Sequence, residues 1–215
     1  MTTTANSSHR ARIVQRTIAA FAAIATALLG ACGTEEHHTT NPAISTVPET
    51  KPIALRWGTF QGIRLPIAQQ GPTRLEGAVV SGFERSPVGA ALAAIHATVR
   101  MSVATDAQWI AVVRNLVAPG PGRDAWTTAR AQLSITTPIA DDPPAILGYR
   151  ITHYTPDTAE IDIYTLNPDN SVNSNTCRVR WQASDWRLEL PDNSATTPVR
   201  VLTFPPPDMI ALAPR

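Results

Sequence analysis

A chain of 215 residues, of which 43% are hydrophobic and 16% charged, carries enough apolar material to bury a core, and this excludes an intrinsically disordered protein. The 18 basic and 17 acidic residues leave a formal net charge of +1. This balance excludes a broad phosphate-binding surface, and no nucleic acid partner is expected.

The first 31 residues are predicted to form an export signal. Arginines precede a weakly apolar run over residues 18–29, which leads into a Leu-Gly-Ala-Cys sequence that ends at Cys32. The run is shorter than the roughly 20 residues that a helix needs to cross a bilayer. A basic segment, an apolar segment and small residues before a cleavage site are typical of a signal peptide, here residues 1–31.

Cys32 is the first candidate site residue. The four residues that end at Cys32 resemble the lipobox of bacterial lipoproteins, whose cysteine receives a diacylglyceryl group before the signal is cut. The resemblance implies that Cys32 is lipidated and that this lipid anchor holds the protein on the extracytoplasmic face of the cell membrane. A short uncleaved membrane anchor and an incidental cysteine are the alternatives.

Residues 32–54 are predicted to be a flexible tether. The segment contains several prolines and many polar residues and shows no apolar periodicity. Its adjacent His37 and His38 have no further ligands nearby in the sequence, so no metal site is predicted there. No cofactor and no metal partner are expected for the chain.

The folded domain is predicted to start with a strand pair and to continue with a helix. Short apolar alternations over residues 55–67 favour an edge hairpin, which a Gly-Pro turn closes. In the strongest helix signal, Ser86 can cap the helix, Pro87 can occupy its first position, and residues 88–101 are rich in alanine. His96 in this helix is predicted to be a packed, hydrogen-bonded core residue rather than a base.

Two further helices are predicted. The first is capped by Thr105 or Asp106 and stops at the Pro-Gly-Pro-Gly sequence of residues 119–122, which is a linker. The second covers residues 124–133.

After a proline-rich connection over residues 136–144, the hydrophobic period changes from helical to two, which indicates strands. Turn sequences separate four strands, and a fifth over residues 199–204 can follow. Connections this short require antiparallel neighbours. A single α+β domain over 55–204 and a Pro-rich C-terminal tail over 205–215 are therefore predicted. The four strands span 145–155, 159–166, 175–182 and 186–190.

Strand alternation assigns the side chains to two faces of the sheet. An apolar face is predicted to pack against the helices, and a charged face meets solvent. The predicted fold is thus α+β, with N-terminal helices packed on a curved antiparallel meander sheet. The apolar face comprises Leu147, Tyr149, Ile151, Ile161, Ile163, Cys177, Val179, Trp181, Trp186, Leu188 and Leu190. The charged face comprises Arg150, Glu160, Asp162, Arg178, Arg180, Arg187 and Glu189.

This order of elements resembles the cystatin-like superfamily, typified by nuclear transport factor two and by the extracytoplasmic scaffold domains of bacterial conjugation and type IV secretion machines. The resemblance implies a cone, in which the curved sheet covers the helices on one face.

A second set of motifs carries a narrower resemblance. They are Trp57-Gly58, Gly62-Ile63-Arg64-Leu65-Pro66, Gly71-Pro72, Gly82-Phe83-Glu84-Arg85-Ser86-Pro87 with the alanine-rich run after it, Val179-Arg180-Trp181 and Asp185-Trp186-Arg187-Leu188. Over about residues 55–204 the chain resembles actinobacterial membrane-tethered lipoproteins that are often encoded with integrative and conjugative elements. This resemblance implies a lineage and a location, and it carries over no catalytic residue.

The sequence contains no catalytic motif. It has no Gly-x-Ser-x-Gly elbow, and its Ser, His and Asp residues lack triad spacing. Cys177 is predicted to be a buried, inert thiol. Because cone folds often enclose a pocket, Tyr149, His153 and Trp181 on the inner faces of their strands form the candidate ligand pocket.

Two functions of different classes follow. The favoured one is a non-catalytic, lipid-anchored extracytoplasmic binding or scaffold protein, accessory to a conjugation or secretion assembly and bound to a protein of that assembly. Arg178 and Arg180 on the charged face are its candidate docking face. The alternative is a small-ligand-binding or enzymatic cone-fold domain with a pocket near Tyr149 and His153.

Overall fold

The structure is a computed structural model that describes residues 51–192 and 199–212. In these ranges the chain forms two short hairpins, three helices and a six-stranded antiparallel sheet, so the predicted α+β class is confirmed. The helices are α1 (Pro87–Val103), α2 (Trp109–Leu116) and α3 (Pro121–Arg130). The strands are β1 (Arg56–Phe60), β2 (Ile63–Ile67), β3 (Arg74–Glu76), β4 (Val79–Ser81), β5 (Ala145–Tyr154), β6 (Thr158–Leu166), β7 (Val172–Gln182), β8 (Asp185–Glu189), β9 (Val199–Leu202) and β10 (Ile210–Ala211).

Helix α1 starts where the capping signals predicted. The Ser86 hydroxyl accepts a hydrogen bond from the Gly89 backbone N–H at 3.1 Å, and Pro87 occupies the first turn. A side chain at Gly89 is excluded, because its Cβ would lie 2.0 Å from the Glu84 carbonyl oxygen. The helix contacts strands β5 to β8, and its alanines are buried, which lets helix and sheet approach closely.

The starts of α2 and α3 differ from the prediction. Helix α2 begins at Trp109 without a side-chain cap, so the predicted cap at Thr105 or Asp106 is wrong. The Asp106 carboxylate instead accepts hydrogen bonds from Arg130 and from the segment after α3. Helix α3 begins at Pro121, inside the predicted linker, because the fixed φ of proline suits a first helical turn.

The main sheet has the strand order β10-β5-β6-β7-β8, and β9 pairs with β7 as well. The predicted antiparallel meander of β5 to β8 is confirmed. Strand β8 pairs with residues 178–182 of β7, and β9 pairs with residues 172–175. Because β6 pairs with residues 172–180 along the opposite edge of β7, β8 and β9 share one edge of that strand.

Two β-bulges in β5 correct the predicted faces. The pairing of β5 with β6 shifts once between Ile146 and Gly148 and again between Ile151 and His153. Each shift inserts an extra residue and reverses the alternation beyond it. Ile146 is consequently buried in the core where Leu147 was predicted, and the prediction that His153 faces inward is wrong. His153 is exposed and lies opposite Glu160, while Tyr154 packs against the core.

The domain extends beyond both predicted boundaries. At its N-terminal side, the Ile53 N–H donates to the Gln70 side chain at 3.1 Å, so the folded part includes the end of the predicted tether. At the other side, β10 pairs with β5, and Ile210 and Leu212 are buried. Residues 205–212 therefore belong to the domain instead of forming a tail.

A buried carboxylate, that of Asp162, lies beside an arginine that also binds the C-terminal segment. Arg150 pairs with Asp162 at 2.8 Å and with Asp208 at 3.1 Å. Thr176 donates to the other oxygen of Asp162 at 2.7 Å. Asp162 is 7% exposed, so the prediction that it faces solvent is wrong.

Two of the motifs that carried the narrower resemblance meet in what we call the Asp185 clasp. The Asp185 carboxylate accepts hydrogen bonds from the Gly82 N–H at 2.8 Å and from the Phe83 N–H at 3.1 Å. Beside it, Trp186 Nε1 donates to the Glu84 carbonyl at 2.9 Å. The clasp holds the start of α1 against β8 and so fixes the position of the helix on the sheet.

Within the described ranges, no helix combines the length and the apolar character that a membrane crossing requires.

Candidate functional site

The three predicted pocket residues, Tyr149, His153 and Trp181, differ in burial. Tyr149 is fully buried in the core, and burial raises the pKa of its hydroxyl above the usual value. Trp181 is half-buried, with its ring centroid 5.4 Å from that of Trp186 and the Arg85 guanidinium 5.3 Å above it. His153 is exposed, and none of the three residues lines the groove described next.

A groove of about 600 Å³, which we call the edge groove, opens at the sheet edge where β8 ends and β9 begins. Strand β8 ends opposite Arg178 and β9 begins opposite Asn175. Thr176 and Cys177 between them have a strand neighbour only on the β6 side in the described part of the chain. The lining residues are Thr98, Met101 and Ser102 of α1, Glu160 of β6, Asn175 to Arg178 of β7, Leu188 to Asp192, and Val199 and Arg200 of β9.

Cys177 lines the edge groove but is only 7% exposed, so the predicted burial of its thiol is confirmed. Its Sγ lies 3.3 Å from the Thr98 hydroxyl. Burial raises the pKa of the thiol to about 11. The thiol is therefore protonated at neutral pH and is a poor nucleophile.

We expect this thiol to resist labelling. In a full chain that carries Cys32→Ser, Cys177 should react with a disulfide reagent at pH 8 about 100-fold more slowly in the native state than in denaturant, because so little thiolate is present. The measurement is the rate of thiolate release with and without urea. Equal rates would contradict both the burial and the raised pKa.

The two arginines of the predicted docking face share one carboxylate. Arg178 Nε lies 3.4 Å from Glu189, and Arg180 pairs with the same side chain. Both arginine side chains are about half exposed, at 54% and 41%, so these pairs contribute little to stability. Arg178 lines the edge groove and Arg180 does not, which splits the predicted pair.

Strand β9 presents apolar side chains to solvent. Val199, Val201 and Phe204, which follows the strand, are 43%, 74% and 79% exposed. Between the two valines, Arg200 is exposed and has no carboxylate within ion-pairing distance in residues 51–192 and 199–212. The sequence predicted this strand but not the exposure of its valines, since the alternation of Val and Arg is equally typical of a strand whose valines are buried.

His96 is a structural residue, as predicted. It is 1% exposed, its Nε2 donates to the Pro66 carbonyl at 2.8 Å, and Arg100 Nε donates to its Nδ1 at 3.4 Å. Burial first, and the charge of Arg100 next, lower the pKa of His96 to about 3, although the bond to Pro66 opposes this. The ring is therefore neutral at physiological pH, with its single N–H at Nε2 in the hydrogen bond to Pro66 and its Nδ1 accepting from Arg100.

In the described ranges, no three His, Cys, Asp or Glu side chains are grouped closely enough to hold a metal ion. Cys32, His37 and His38 lie outside those ranges. The predictions about the lipid anchor and the tether remain predictions.

Fold and site together define a class of protein: an α+β domain whose antiparallel sheet has, among residues 51–192 and 199–212, a strand with exposed apolar side chains beside a groove. The chain belongs to the family described as a domain of unknown function, DUF8175, which it matches over residues 22–204. The match includes every described element except β10. No curated protein and no solved structure matches the chain.

Proposed function

We propose that this chain is a non-catalytic, lipid-anchored binding or scaffold protein on the extracytoplasmic face of the cell membrane. The observation that carries the proposal is strand β9, which begins in the edge groove at Val199, exposes Val201 and is followed by the exposed Phe204. Soluble proteins usually protect a sheet edge with charge, proline or a covering segment. An apolar edge beside a groove is typical of a surface that contacts another protein.

The sequence before the domain supports the proposed location at the membrane. Cys32 follows an apolar run and small residues, as in a lipobox. Two acyl chains, at about 0.8 kcal/mol for each buried methylene, give a durable anchor without a transmembrane helix. The polar, proline-containing segment after Cys32 then gives the domain reach from the bilayer.

The assembly and the lineage are parts of the same proposal. The helix-then-meander order supports a cone of the cystatin-like type, as in scaffold domains of conjugation and secretion machines. The motifs at Gly82–Pro87 and at Asp185–Leu188 support kinship with actinobacterial lipoproteins encoded with integrative and conjugative elements. The protein would serve such an assembly as an accessory component.

The chemistry of His96, Cys177 and Glu189 supports binding over catalysis at these three residues. His96 is held neutral by burial, the Cys177 thiol is held protonated, and Arg178 and Arg180 neutralise Glu189. Each of these groups has its charge or proton fixed by a structural partner or by burial.

One observation favours a second candidate, a small-ligand-binding domain. The volume of the edge groove, about 600 Å³, falls in the range of roughly 300–1,000 Å³ that is usual for small-molecule sites. The ligand would then contact Cys177 and Arg178, and not the Tyr149 and His153 pocket predicted from the sequence. Saturable binding of a small molecule from the host that Arg178→Ala weakens, with no protein crosslinked at Arg178, would favour this candidate.

The anchor is tested by Cys32→Ser in the native host. We expect the wild-type chain in the membrane fraction, released by detergent but not by high salt, with a lipid mass on Cys32. The variant should appear unprocessed or in the soluble fraction, because it lacks the acylated thiol. Cys177→Ser is the matched control and should leave the distribution unchanged. Membrane retention of a correctly cleaved Cys32→Ser chain would contradict the proposal.

Partner binding is tested in the same host. A photo-crosslinking residue at position 178 should capture a specific membrane-assembly protein, and the same residue at Glu76, on the exposed β3, should not. Failure of crosslinkers at all exposed positions to capture a specific protein would end the binding proposal.

A further inference from the structure

We propose that β9 receives an extended segment of the partner protein as an added strand. The segment alternates apolar and polar residues, and a carboxylate of the segment lies opposite Arg200. This inference rests on the proposed function and specifies the surface and the chemistry of the partner.

The backbone of β9 is available for pairing. Residues 199–202 pair with β7 along one edge, and in the described part of the chain the other edge has no strand neighbour. An unpaired edge presents a row of N–H and C=O groups that a second strand can satisfy. Main-chain hydrogen bonds of this kind supply affinity in strand-addition complexes, and side-chain pockets supply specificity.

The apolar side of β9 leads directly into the edge groove. Val199 and Val201 are two residues apart and therefore lie on the same side of the strand, and Val199 lines the groove beside Cys177 and Met101. An added strand can cover Val201 with one apolar side chain and place the next apolar side chain in the groove. This arrangement removes from water the apolar area that the domain itself leaves exposed.

Arg200 lies on the other side of β9 from the two valines, and its charge determines which side chain of an added strand fits opposite it. Arg200 is an unpaired cation in the described structure, and β9 itself contains no acidic residue. Opposite charges on directly facing residues of neighbouring strands attract, and like charges repel. A carboxylate on the added strand therefore complements this edge.

The same charge disfavours a second copy of the chain as the occupant. In two antiparallel β9 strands, a register that keeps the apolar sides together brings the two Arg200 side chains opposite or diagonal to one another. The other register places each Arg200 opposite Val201 or another apolar residue. Neither register supplies a carboxylate, so a different protein fits better.

The inference is tested with the full chain in detergent micelles and with two capped, fluorescent nonapeptides. Both alternate Thr and Val, as Thr-Val-Thr-Val-X-Val-Thr-Val-Thr, with X either Glu or Lys. By fluorescence anisotropy we expect the Glu peptide to bind about fivefold more tightly than the Lys peptide, as facing charge pairs allow. Arg200→Glu should reverse this preference.

Two substitutions locate the binding. Val201→Lys should weaken binding of the Glu peptide by tenfold or more, because it places a charge on the apolar side of the edge. Leu75→Lys is the matched control, since Leu75 is 52% exposed on β3, away from β9, and should leave binding unchanged. Circular dichroism and thermal melts check that each variant is folded.

Equal affinity for both peptides, an unreversed preference in Arg200→Glu, or no binding up to millimolar peptide would overturn the inference. Concentration-dependent dimerisation that Val201→Lys abolishes would overturn it in favour of a second copy. Crosslinking of a partner at position 178 that Val201→Lys does not affect would leave the proposed function intact and reject only the strand-addition surface. Loss of all crosslinking at exposed positions would instead reject the proposed function.

Discussion

Replacement of Trp186 by Ala should lower the free energy of unfolding by about 3–5 kcal/mol, which is the usual cost of removing a buried tryptophan from a packed core. The side chain is 2% exposed, and its ring lies 5.4 Å from Trp181 and 6.1 Å from Tyr154, centroid to centroid. The substitution also removes the hydrogen bond from Trp186 Nε1 to the Glu84 carbonyl, which then keeps only the bond from the Ser86 N–H. Urea denaturation followed by circular dichroism measures the change.

Trp181→Ala is the matched control. Strand alternation alone predicts a similar burial for both tryptophans, but Trp181 is half-buried and packs against the core from its margin. Its loss should therefore cost clearly less than the loss of Trp186. A change under about 1 kcal/mol for Trp186→Ala, or equal changes for the two variants, would contradict the packing.

A fall in pH from 6.5 to 4.5 should lower the free energy of unfolding by about 2 kcal/mol through His96 alone. The pKa of His96 is lowered to about 3 in the folded state, against 6.5 in the unfolded chain. Between these two values the unfolded state binds a proton that the folded state excludes, so stability rises with pH in this window. The contribution is complete above about pH 6.5 and is lost progressively as the pH falls towards 3.

The measurement is the change in the free energy of unfolding with pH, and His96→Gln is the control. Glutamine does not titrate and can still donate to the Pro66 carbonyl, although it has a different shape. The variant should be less stable than the wild type at pH 7 but should show a smaller change between pH 6.5 and 4.5. The exposed His153 is present in both proteins and cancels from the comparison. An unchanged slope in the variant would show that His96 is not the group that titrates.

Much of the fold could be predicted because its signals are local. The cap of α1 requires Ser86 and Pro87, and both lie next to the alanines that form the helix. The turns between β5, β6, β7 and β8 are short enough to require antiparallel pairing. In these segments, propensity and tertiary packing favour the same structure.

Other parts of the fold depend on a partner strand, and no single segment of sequence shows them. The bulge before His153 exists only in the pairing of β5 with β6, and it decides which side chain enters the core. Strand β10 has two residues, too few for a periodicity, and it forms because Ile210 and Leu212 are buried beside β5. Prolines before it suggested a tail, although residues 205–212 are anchored by Asp208 and these two side chains.

The candidate site was predictable in its residues but not in its geometry. Sequence reasoning singled out Cys177 as a buried thiol and Arg178 as a surface charge, and both line the edge groove. The groove exists because β8 ends and β9 begins at different points along β7, and a strand's end point is the feature that sequence patterns fix least well. The pairing of Arg178 and Arg180 with one Glu189 likewise depends on register.

The Asp185 clasp also determines how this domain should carry mechanical load. A protein that is anchored at one end and held by a partner at another comes under tension whenever the two attachment points move apart. The clasp joins Asp185 to Gly82 and Phe83, positions 103 and 102 residues apart in the chain. These bonds connect the loop before α1 directly to β8. Force applied between the N-terminal hairpins and β9 can therefore be transmitted through the clasp without passing along the chain between these two points. Tension on the hairpins therefore acts on the clasp as well as on their packing against α1, α2 and β5, and we expect the clasp to open during a sustained pull.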